Sequence, residues 1–306
     1  MLFLDGVGLG LPDASVNPFG AARLPALRSL LGGAIPSSGQ SFLSTTTASL
    51  VPLDATLGVE GLPQSGTGQT TLFTGVNAAR MIGKHFGPYP YSTLRPVIQE
   101  KNLFKQLLAA GRQPCFANAF PQRFFEYMNH RRSHLTVTTL SCTMAGVPLL
   151  TARDLREGKG VSADITGAGW KELGYPDMRV ISEAEAGQRL AELCVEHEFV
   201  LFEYWRTDKA GHSEDFAEAV ESLERLDRML GGVIEALDVR STMLLITSDH
   251  GNIEDMSTKT HTRNPVPAIL YGHNHAEIAA RIHSAPANGV DLTRVAPLLM
   301  EYITSH

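Results

Sequence analysis

Three aspartates and three histidines occur in short motifs spread along a chain of 306 residues. Two pairs are close in sequence, because Asp208 precedes His212 by four residues and Asp249 directly precedes His250. Carboxylate and imidazole ligands without thiolates suit zinc or manganese. Six such ligands are too many for one tetrahedral ion but suit two ions about 4 Å apart. The candidate metal ligands are Asp5, Asp208, His212, Asp249, His250 and His261.

A glycine-rich stretch at residues 61–75 supplies a candidate nucleophile, Thr70. Gly66 and Gly68 predict a turn, because glycine adopts backbone conformations that other residues avoid. The apolar residues that follow predict a buried helix over about 71–79, so that Thr70 stands at its N-terminus. Unpaired N–H groups and the helix dipole stabilise an alkoxide or a phosphate at that position. The alternative interpretation of Thr70 is an ordinary N-cap.

Strands and helices alternate along the chain. Apolar runs predict strands at 2–4, 55–59, 114–120, 199–205, 243–247 and 267–271. Helical periodicity predicts helices at 24–31, 102–110, 183–197, 216–237 and 292–303. We therefore expect an α/β fold with a parallel or mixed sheet between layers of helices. In such folds the loops after the strands carry the ligand site, so we expect the candidate residues in these loops rather than on helix faces.

Residues 121–182 interrupt this alternation and predict a small lid inserted within a single domain of residues 1–306. Within it, Thr136–Thr143 reads as extended. Four arginines of the segment could bind an anionic substrate, although solvated surface accounts for each one as well: Arg123, Arg131, Arg132 and Arg153. The first strand is short for a central position, so we expect the chain to lack a few residues before Met1.

Composition excludes several classes of protein. The net charge of −6 gives no electrostatic footprint for nucleic acid or an anionic membrane. No apolar run reaches the length needed to cross a bilayer. The three cysteines lack paired spacing, which argues against a disulfide framework or a zinc–thiolate site. We expect reduced, mostly buried thiols in a cytoplasmic protein.

These motifs resemble the alkaline phosphatase superfamily of binuclear metalloenzymes, and within it the branch of cofactor-independent phosphoglycerate mutases. The resemblance covers roughly residues 1–120 and 183–306. It rests on Asp249-His250-Gly251-Asn252 and Thr260 to Pro267, with Asp5, Thr70 and Asp208-x-x-Gly211-His212 in sequence order. It implies a three-layer sandwich and two divalent ions, manganese or zinc. By the resemblance, one ion is held by Asp5, Thr70, Asp249 and His250, and the other by Asp208, His212 and His261.

The resemblance also implies phosphoryl transfer through a phosphothreonine on Thr70. Candidate substrate contacts are Gln69, Arg80 and Lys84, with solvated surface as the alternative for the two cations. The mutases carry a large second domain that this chain is too short to hold. We therefore expect hydrolysis of a small-molecule phosphate mono- or diester, with a phosphomutase as the alternative. A metal-binding scaffold without turnover is a remote third possibility.

Overall fold

The computed structural model describes residues 1–130, 134–284 and 289–305. Within these ranges the chain forms ten strands: β1 (Leu2–Leu4), β2 (Leu43–Ser44), β3 (Ala48–Leu53), β4 (Pro114–Phe116), β5 (Asn118–Phe120), β6 (Leu150–Thr151), β7 (Val161–Ser162), β8 (Phe199–Tyr204), β9 (Met243–Thr247) and β10 (Val266–Gly272). Seven of them form one central sheet in the order β2-β3-β10-β9-β1-β8-β4, and the other three form a small sheet in the order β6-β5-β7.

The same ranges contain fourteen α-helices: α1 (Pro18–Ala21), α2 (Pro25–Leu30), α3 (Ser65–Thr74), α4 (Ala78–Ile82), α5 (Arg95–Lys101), α6 (Leu103–Ala109), α7 (Gln122–His130), α8 (Val137–Ala145), α9 (Ala152–Arg156), α10 (Glu183–Glu196), α11 (Arg206–Ser213), α12 (Phe216–Ala236), α13 (His275–His283) and α14 (Val295–Ser305).

Two hydrophobic cores lie on opposite faces of the central sheet, because successive side chains of a strand alternate between faces. Leu2 and Leu4 pack into a core that α10 and α12 cover. Phe3, between them, packs into the other core with side chains of α3, α6 and α14. The central strands are therefore mostly apolar on both faces, as expected for a sheet that is buried on both sides. The protein is an α/β three-layer sandwich, as the sequence predicts.

Strand directions bring the functional motifs to one edge of the sheet. β1, β4, β8 and β9 run parallel, so their carboxyl ends lie together. β10 runs antiparallel to β9, and Ala268 pairs with Thr247. The start of β10 therefore lies beside the end of β9. For this reason the motif around His261, which precedes β10, lies beside the motifs that follow the parallel strands.

Three predicted elements are wrong. Residues 55–59 are not a strand; the strand of this region is β3, which ends at Leu53, and Leu57 has a left-handed backbone, with a φ of 56°. Residues 114–120 are split between two sheets, with β4 in the central one and β5 in the small one. Thr136–Thr143 is not extended, because α8 begins at Val137 with the Thr136 side chain as its N-cap. The β-branched threonines there favour a strand in isolation, and the buried contacts of α8 override that preference.

The segment 121–182 has two parts. α8 is buried with Val137, Leu140 and Cys142 in the core that contains Phe3. It packs on α3, α5 and α6, so it belongs to a helix layer of the sandwich. The residues on either side of α8 build the small sheet and a separate apolar cluster around Trp170. These flanking residues are the part of the predicted lid that lies outside the sandwich.

The three cysteines are free, and Cys115 and Cys142 are buried. Burial raises the pKa of Cys115 to about 12 and that of Cys142 well above its ordinary value. These two thiols therefore stay protonated at neutral pH. Among the helices of the described ranges, none has the length and apolar character required of a membrane span.

Candidate metal centre and nucleophile

Asp5, Asp249 and His250 form the first group of ligand atoms, and they come from two adjacent strands. Asp5 directly follows β1, and the other two follow β9 by two and three residues. The Nε2 atom of His250 lies 3.2 Å from Asp5 Oδ1 and 3.6 Å from Asp249 Oδ2. The side chains of Asp249 and His250 are fully buried. This group fits the predicted site for one ion.

Asp208, His212 and His261 form the second group. Asp208 and His212 lie on α11, not in a loop as predicted, and their four-residue spacing places them on one helix face. His212 Nε2 lies 3.4 Å from Asp208 Oδ2, and His261 Nε2 lies 3.5 Å from Asp208 Oδ1. The rings of His250 and His261 stack with centroids 3.8 Å apart. The two groups are therefore neighbours, as required for a binuclear centre.

Backbone carbonyls orient two of the imidazole rings. His261 Nδ1 lies 2.7 Å from the carbonyl oxygen of Pro63, and His212 Nδ1 lies 2.6 Å from that of Lys259. A carbonyl can only accept, so Nδ1 donates in both rings, and in the neutral form that binds metal Nε2 carries the lone pair. The two Nε2 atoms lie 3.2 Å apart. Two lone pairs directed at one small volume are the arrangement of ligands around a cation.

The charges of the centre are strongly coupled. Burial raises the pKa of Asp249 well above its ordinary value, and the charge of Asp5 raises it further. Burial lowers the pKa of His250, but the neighbouring Asp249 and Asp5 outweigh burial and raise it to about 10. Burial would raise the pKa of Asp208, but hydrogen bonding to His261 and the charge of His250 lower it. Carboxylates and imidazoles thus compensate one another in a space that excludes water.

The structure contradicts the predicted position of Thr70. α3 begins at Ser65, so Thr70 is the sixth residue of the helix rather than its N-terminus. Its side chain is fully buried, and its hydroxyl donates to the carbonyl oxygen of Gly66 at 2.6 Å, within the same helix. The physical reason is that threonine inside a helix satisfies its hydroxyl on the carbonyl four residues earlier.

Ser65 occupies the position predicted for Thr70. It is the first residue of α3, and its Oγ lies 3.0 Å from His250 Nε2. The N-cap residue Gln64 makes no side-chain cap. The hydroxyl of Ser65 therefore lies beside the first ligand group and at the positive end of the helix dipole. The sequence contained a signal for this start, since Pro63 precedes Ser65 closely and proline is common at helix beginnings.

Gly66 and Gly68 do not form a turn, because both lie within α3. Their function is close approach of the backbone. A Cβ atom at Gly68 would lie 2.6 Å from the carbonyl oxygen of Asp249, and one at Gly66 would lie 2.3 Å from that of Tyr89. Both distances are too short for any side chain. The glycines thus hold the helix that carries Ser65 against the segment that carries Asp249.

Glu254 joins the loops of the centre, and sequence reasoning missed it. It is 1% exposed, and its Oε2 accepts hydrogen bonds from the backbone N–H groups of Gly8 at 2.8 Å and Asn252 at 2.7 Å. Its Oε1 accepts from the side chains of Thr262 and Asn264. An acid two residues after the Asp-His-Gly-Asn motif was the only signal in the sequence. Glu254 is a positioning residue.

The predicted substrate contacts are not brought together. Gln69 is buried in α3, and its Oε1 has no hydrogen-bond partner within the described ranges. Arg80 and Lys84 are exposed, and the Lys84 ammonium lies 5.3 Å from the Tyr91 ring centroid. Arg153 pairs with Glu157 on the surface of α9. Arg131 and Arg132 lie outside the described residues.

A cleft of about 660 Å³ adjoins the centre, and Asp5 is part of its wall. The rest of its lining comes from the ends of β5 and β8, from α7, and from the segment around Trp170. Arg123, on α7, and Arg206, at the start of α11, also line it. The cleft is therefore the space in which a substrate could lie next to the ligand groups.

Comparisons with known proteins agree with this geometry. A family model described as the metalloenzyme superfamily matches residues 175–306, which include five of the six candidate ligands. A relative named 2,3-bisphosphoglycerate-independent phosphoglycerate mutase, from Thermomicrobium roseum, is 37% identical over 110 residues. That match covers 34% of this chain and 20% of the relative. The chain thus matches about a fifth of that relative's length.

Solved structures match the whole fold. The PH0037 protein from Pyrococcus horikoshii has a TM-score of 0.55 at 15% identity, with 100% of this chain and 96% of that chain covered. Alkaline phosphatase from the Antarctic bacterium TAB5 has a TM-score of 0.53 at 10% identity, with coverages of 100% and 98%. The fold is alkaline-phosphatase-like. The predicted resemblance to the alkaline phosphatase superfamily of metalloenzymes is confirmed.

Proposed function

We propose that the protein is a metal-dependent phosphoryl-transfer enzyme that hydrolyses a small-molecule phosphate ester through Ser65. The observation that carries this proposal is the position of the Ser65 hydroxyl, 3.0 Å from His250 Nε2 at the first residue of α3. Thr70, the nucleophile predicted from the sequence, has its hydroxyl bonded inside the same helix. The assignment of the nucleophile therefore moves to Ser65.

The residues fit two divalent cations, manganese or zinc. Both carboxylate oxygens of Asp249 are buried and lack a hydrogen-bond partner among the described residues. Such oxygens are costly to bury unless a cation compensates them. We assign one ion to Asp5, Asp249 and His250, and the other to Asp208, His212 and His261. Bound there, the ions would favour the alkoxide of Ser65 and neutralise charge on the phosphoryl oxygens.

The chain's own contribution to the reaction is a positioned nucleophile. Ser65 Oγ gives up its proton and forms a bond to phosphorus, while the bond from phosphorus to the leaving oxygen breaks. The leaving oxygen takes up a proton and departs as an alcohol. Water then attacks the phosphoserine, which releases inorganic phosphate and restores Ser65. The dipole of α3 favours negative charge at this residue throughout.

Access of water favours hydrolysis over a mutase reaction. The side chain of His212 is 45% exposed and that of Asp208 is 19% exposed, so the second ligand group faces solvent. A mutase must retain its phosphorylated intermediate and exclude water until a second hydroxyl attacks. Of the predicted lid, α8 belongs to the sandwich, which leaves fewer residues to enclose the centre.

The test compares Ser65→Ala with Thr70→Val on a panel of phosphate esters with added manganese or zinc. We expect Ser65→Ala to lower kcat at least about a thousandfold, because it removes the nucleophile. Thr70→Val, the matched control, keeps the side-chain shape and should retain kcat within about tenfold, since it loses one hydrogen bond. Mass spectrometry of acid-quenched enzyme should locate the phosphate on Ser65.

Other outcomes select the alternatives. Loss of turnover in Thr70→Val with full activity in Ser65→Ala would restore Thr70 as the nucleophile. Isomerised phosphoglycerate or phosphopentose without free phosphate would identify a phosphomutase. If the protein bound two ions but turned over none of the esters, it would be a metal-binding scaffold.

A further inference from the structure

Aromatic side chains concentrate in the cleft beside Asp5. Both tryptophans of the chain, Trp170 and Trp205, line it. Tyr127 and Trp205 also belong to its wall and are 39% and 40% exposed. A contiguous exposed apolar surface marks a binding site, whereas single exposed side chains do not. Asp5 of the first ligand group lines the same cleft, so the non-transferred part of a substrate bound at the centre would lie next to these rings.

The rings are held in place by their neighbours. Phe124 stacks on Phe120 with centroids 4.3 Å apart, and Trp170 donates its Nε1 hydrogen to Ser162 Oγ at 2.7 Å. The Arg206 guanidinium lies 5.5 Å from the centroid of the Trp205 ring. Arg206 stands two residues before Asp208. Trp205 therefore directly precedes the helix that carries Asp208 and lines the same cleft as Asp5.

Two acidic groups of the cleft already have hydrogen-bond partners in the protein. The carboxylate of Asp164 accepts backbone hydrogen bonds from Gly167 at 2.9 Å and Gly169 at 2.7 Å, so it serves its own loop. Glu203 is buried and accepts a hydrogen bond from Thr138. Arg123 is exposed on α7, away from any second arginine of that helix that the structure describes. Arg206 also lines the cleft, and its guanidinium faces the Trp205 ring, a position from which arginine can stack on a planar ring.

We infer that the substrate of this centre is a phosphate ester whose leaving group carries a planar aromatic ring, and that the ring packs against Tyr127, Trp205 and the wall around Phe124. This inference rests on the proposed function, because it assigns the leaving-group side of the same reaction. Rings of this kind bind aromatic partners by stacked or edge-to-face contacts in addition to burial of apolar area.

The test uses three esters of primary alcohols, which have similar intrinsic reactivity: benzyl phosphate, cyclohexylmethyl phosphate and glycerol 3-phosphate. With the metal-loaded wild type we expect kcat/KM for benzyl phosphate to exceed that for glycerol 3-phosphate about tenfold or more, and that for cyclohexylmethyl phosphate about threefold. The cyclohexyl comparison separates planarity from apolar size.

Variants assign the preference to the cleft. Tyr127→Ala and Trp205→Ala should each lower the benzyl-to-glycerol ratio of kcat/KM about fivefold, mainly through KM, because each removes one ring contact. Tyr91→Ala is the matched control, since Tyr91 is a tyrosine of similar exposure, 36%, that does not line the cleft. It should leave the ratio unchanged. Benzylphosphonate, which is not hydrolysed, should also alter the tryptophan fluorescence of the wild type.

The outcomes separate the two proposals. Turnover of all three esters with equal kcat/KM, or ratios that the cleft variants leave unchanged, would overturn the aromatic leaving group and leave phosphoryl transfer intact. Absence of turnover of any ester by metal-loaded protein would overturn the proposed function itself. Faster turnover of cyclohexylmethyl phosphate than of benzyl phosphate would show that the cleft prefers an apolar leaving group and does not require a planar ring.

Discussion

Glu203 is a carboxylic acid in the centre of the molecule, and its environment favours the neutral form. It lies on β8, is fully buried, and accepts a hydrogen bond from Thr138 Oγ1 at 2.6 Å. Burial, together with the nearby charge of Asp5, raises its pKa from 4.5 to about 8 against the opposing hydrogen bond from Thr138. The folded, metal-free protein therefore keeps a proton on Glu203 at neutral pH, whereas the unfolded chain releases it.

This proton gives the first prediction at the residue scale. Between pH 4.5 and 8 the folded state binds one more proton than the unfolded state, so stability falls as pH rises through this window. Glu203→Gln removes the titration and keeps the shape. In chelator, its free energy of unfolding relative to wild type should rise by about 2 kcal/mol or more from pH 5 to pH 8. Urea unfolding at both pH values measures the difference.

Glu192→Gln is the control for this experiment, because Glu192 is an exposed glutamate of α10. Its difference from wild type should be the same at both pH values. If the free energy of unfolding of Glu203→Gln changed with pH as that of wild type does, the carboxyl of Glu203 would be ionised in the folded protein. The account of its burial would then be wrong.

At the scale of elements, the sequence predicts well where one physical cause dominates. β8 and β9 are continuous apolar runs, and α10 and α12 have regular apolar periodicity, so their predicted bounds lie within one residue of those observed. The start of α3 was not predicted, because its first turns contain Gly66, Thr67, Gly68 and Thr70 in place of helix-favouring residues. Contacts with distant segments stabilise the helix there, and a linear pattern does not record them.

The same reason explains which site residues were predicted. The six candidate ligands stand out because acids and histidines recur in short motifs after the predicted strands, and the structure brings them together in two groups. Ser65 was missed because its proposed role depends on where α3 begins. Glu254 was missed because only the fold shows that four donors from three loops surround its carboxylate.

Gly68 gives the prediction at the element scale. In Gly68→Ala the new Cβ would stand 2.6 Å from the carbonyl oxygen of Asp249, so α3 must move away from the loop that follows β9. We expect a loss of stability of about 2 kcal/mol or more, and a loss of kcat because the distance from Ser65 to His250 changes. Thermal unfolding and ester hydrolysis measure the two effects.

The matched control is Gly231→Ala, because Gly231 is also a helical glycine and its nearest neighbour to a new Cβ is 3.9 Å away. Alanine favours a helix over glycine by roughly 0.5–1 kcal/mol, so this variant should be neutral or more stable. Equal stability of both variants would show that the contact between α3 and Asp249 does not limit substitution.

At the scale of the whole molecule, folding gathers three aspartates into one centre, where their charges repel and a bound cation would compensate them. Asp5, Asp208 and Asp249 come from segments that follow three different strands, and they interact electrostatically in the buried centre. The free energy of metal binding is then also free energy of folding, because the unfolded chain does not preserve the groups. Saturation of one site at a hundred times its Kd stabilises a protein by about 2.7 kcal/mol.

This coupling predicts opposite effects of one substitution in two conditions. In chelator, Asp249→Asn replaces a buried carboxyl group whose oxygens have no hydrogen-bond partner among the described residues, so its Tm should equal or exceed that of wild type. With saturating zinc or manganese, wild type should bind two ions per chain and gain several degrees in Tm, whereas Asp249→Asn should bind fewer and gain less. Asp255→Asn, which changes a nearby aspartate of neither ligand group, should gain as much as wild type. If metal raised the Tm of Asp249→Asn as much as that of wild type, the ions would stabilise the fold at another site, because this variant lacks a carboxylate of the proposed centre.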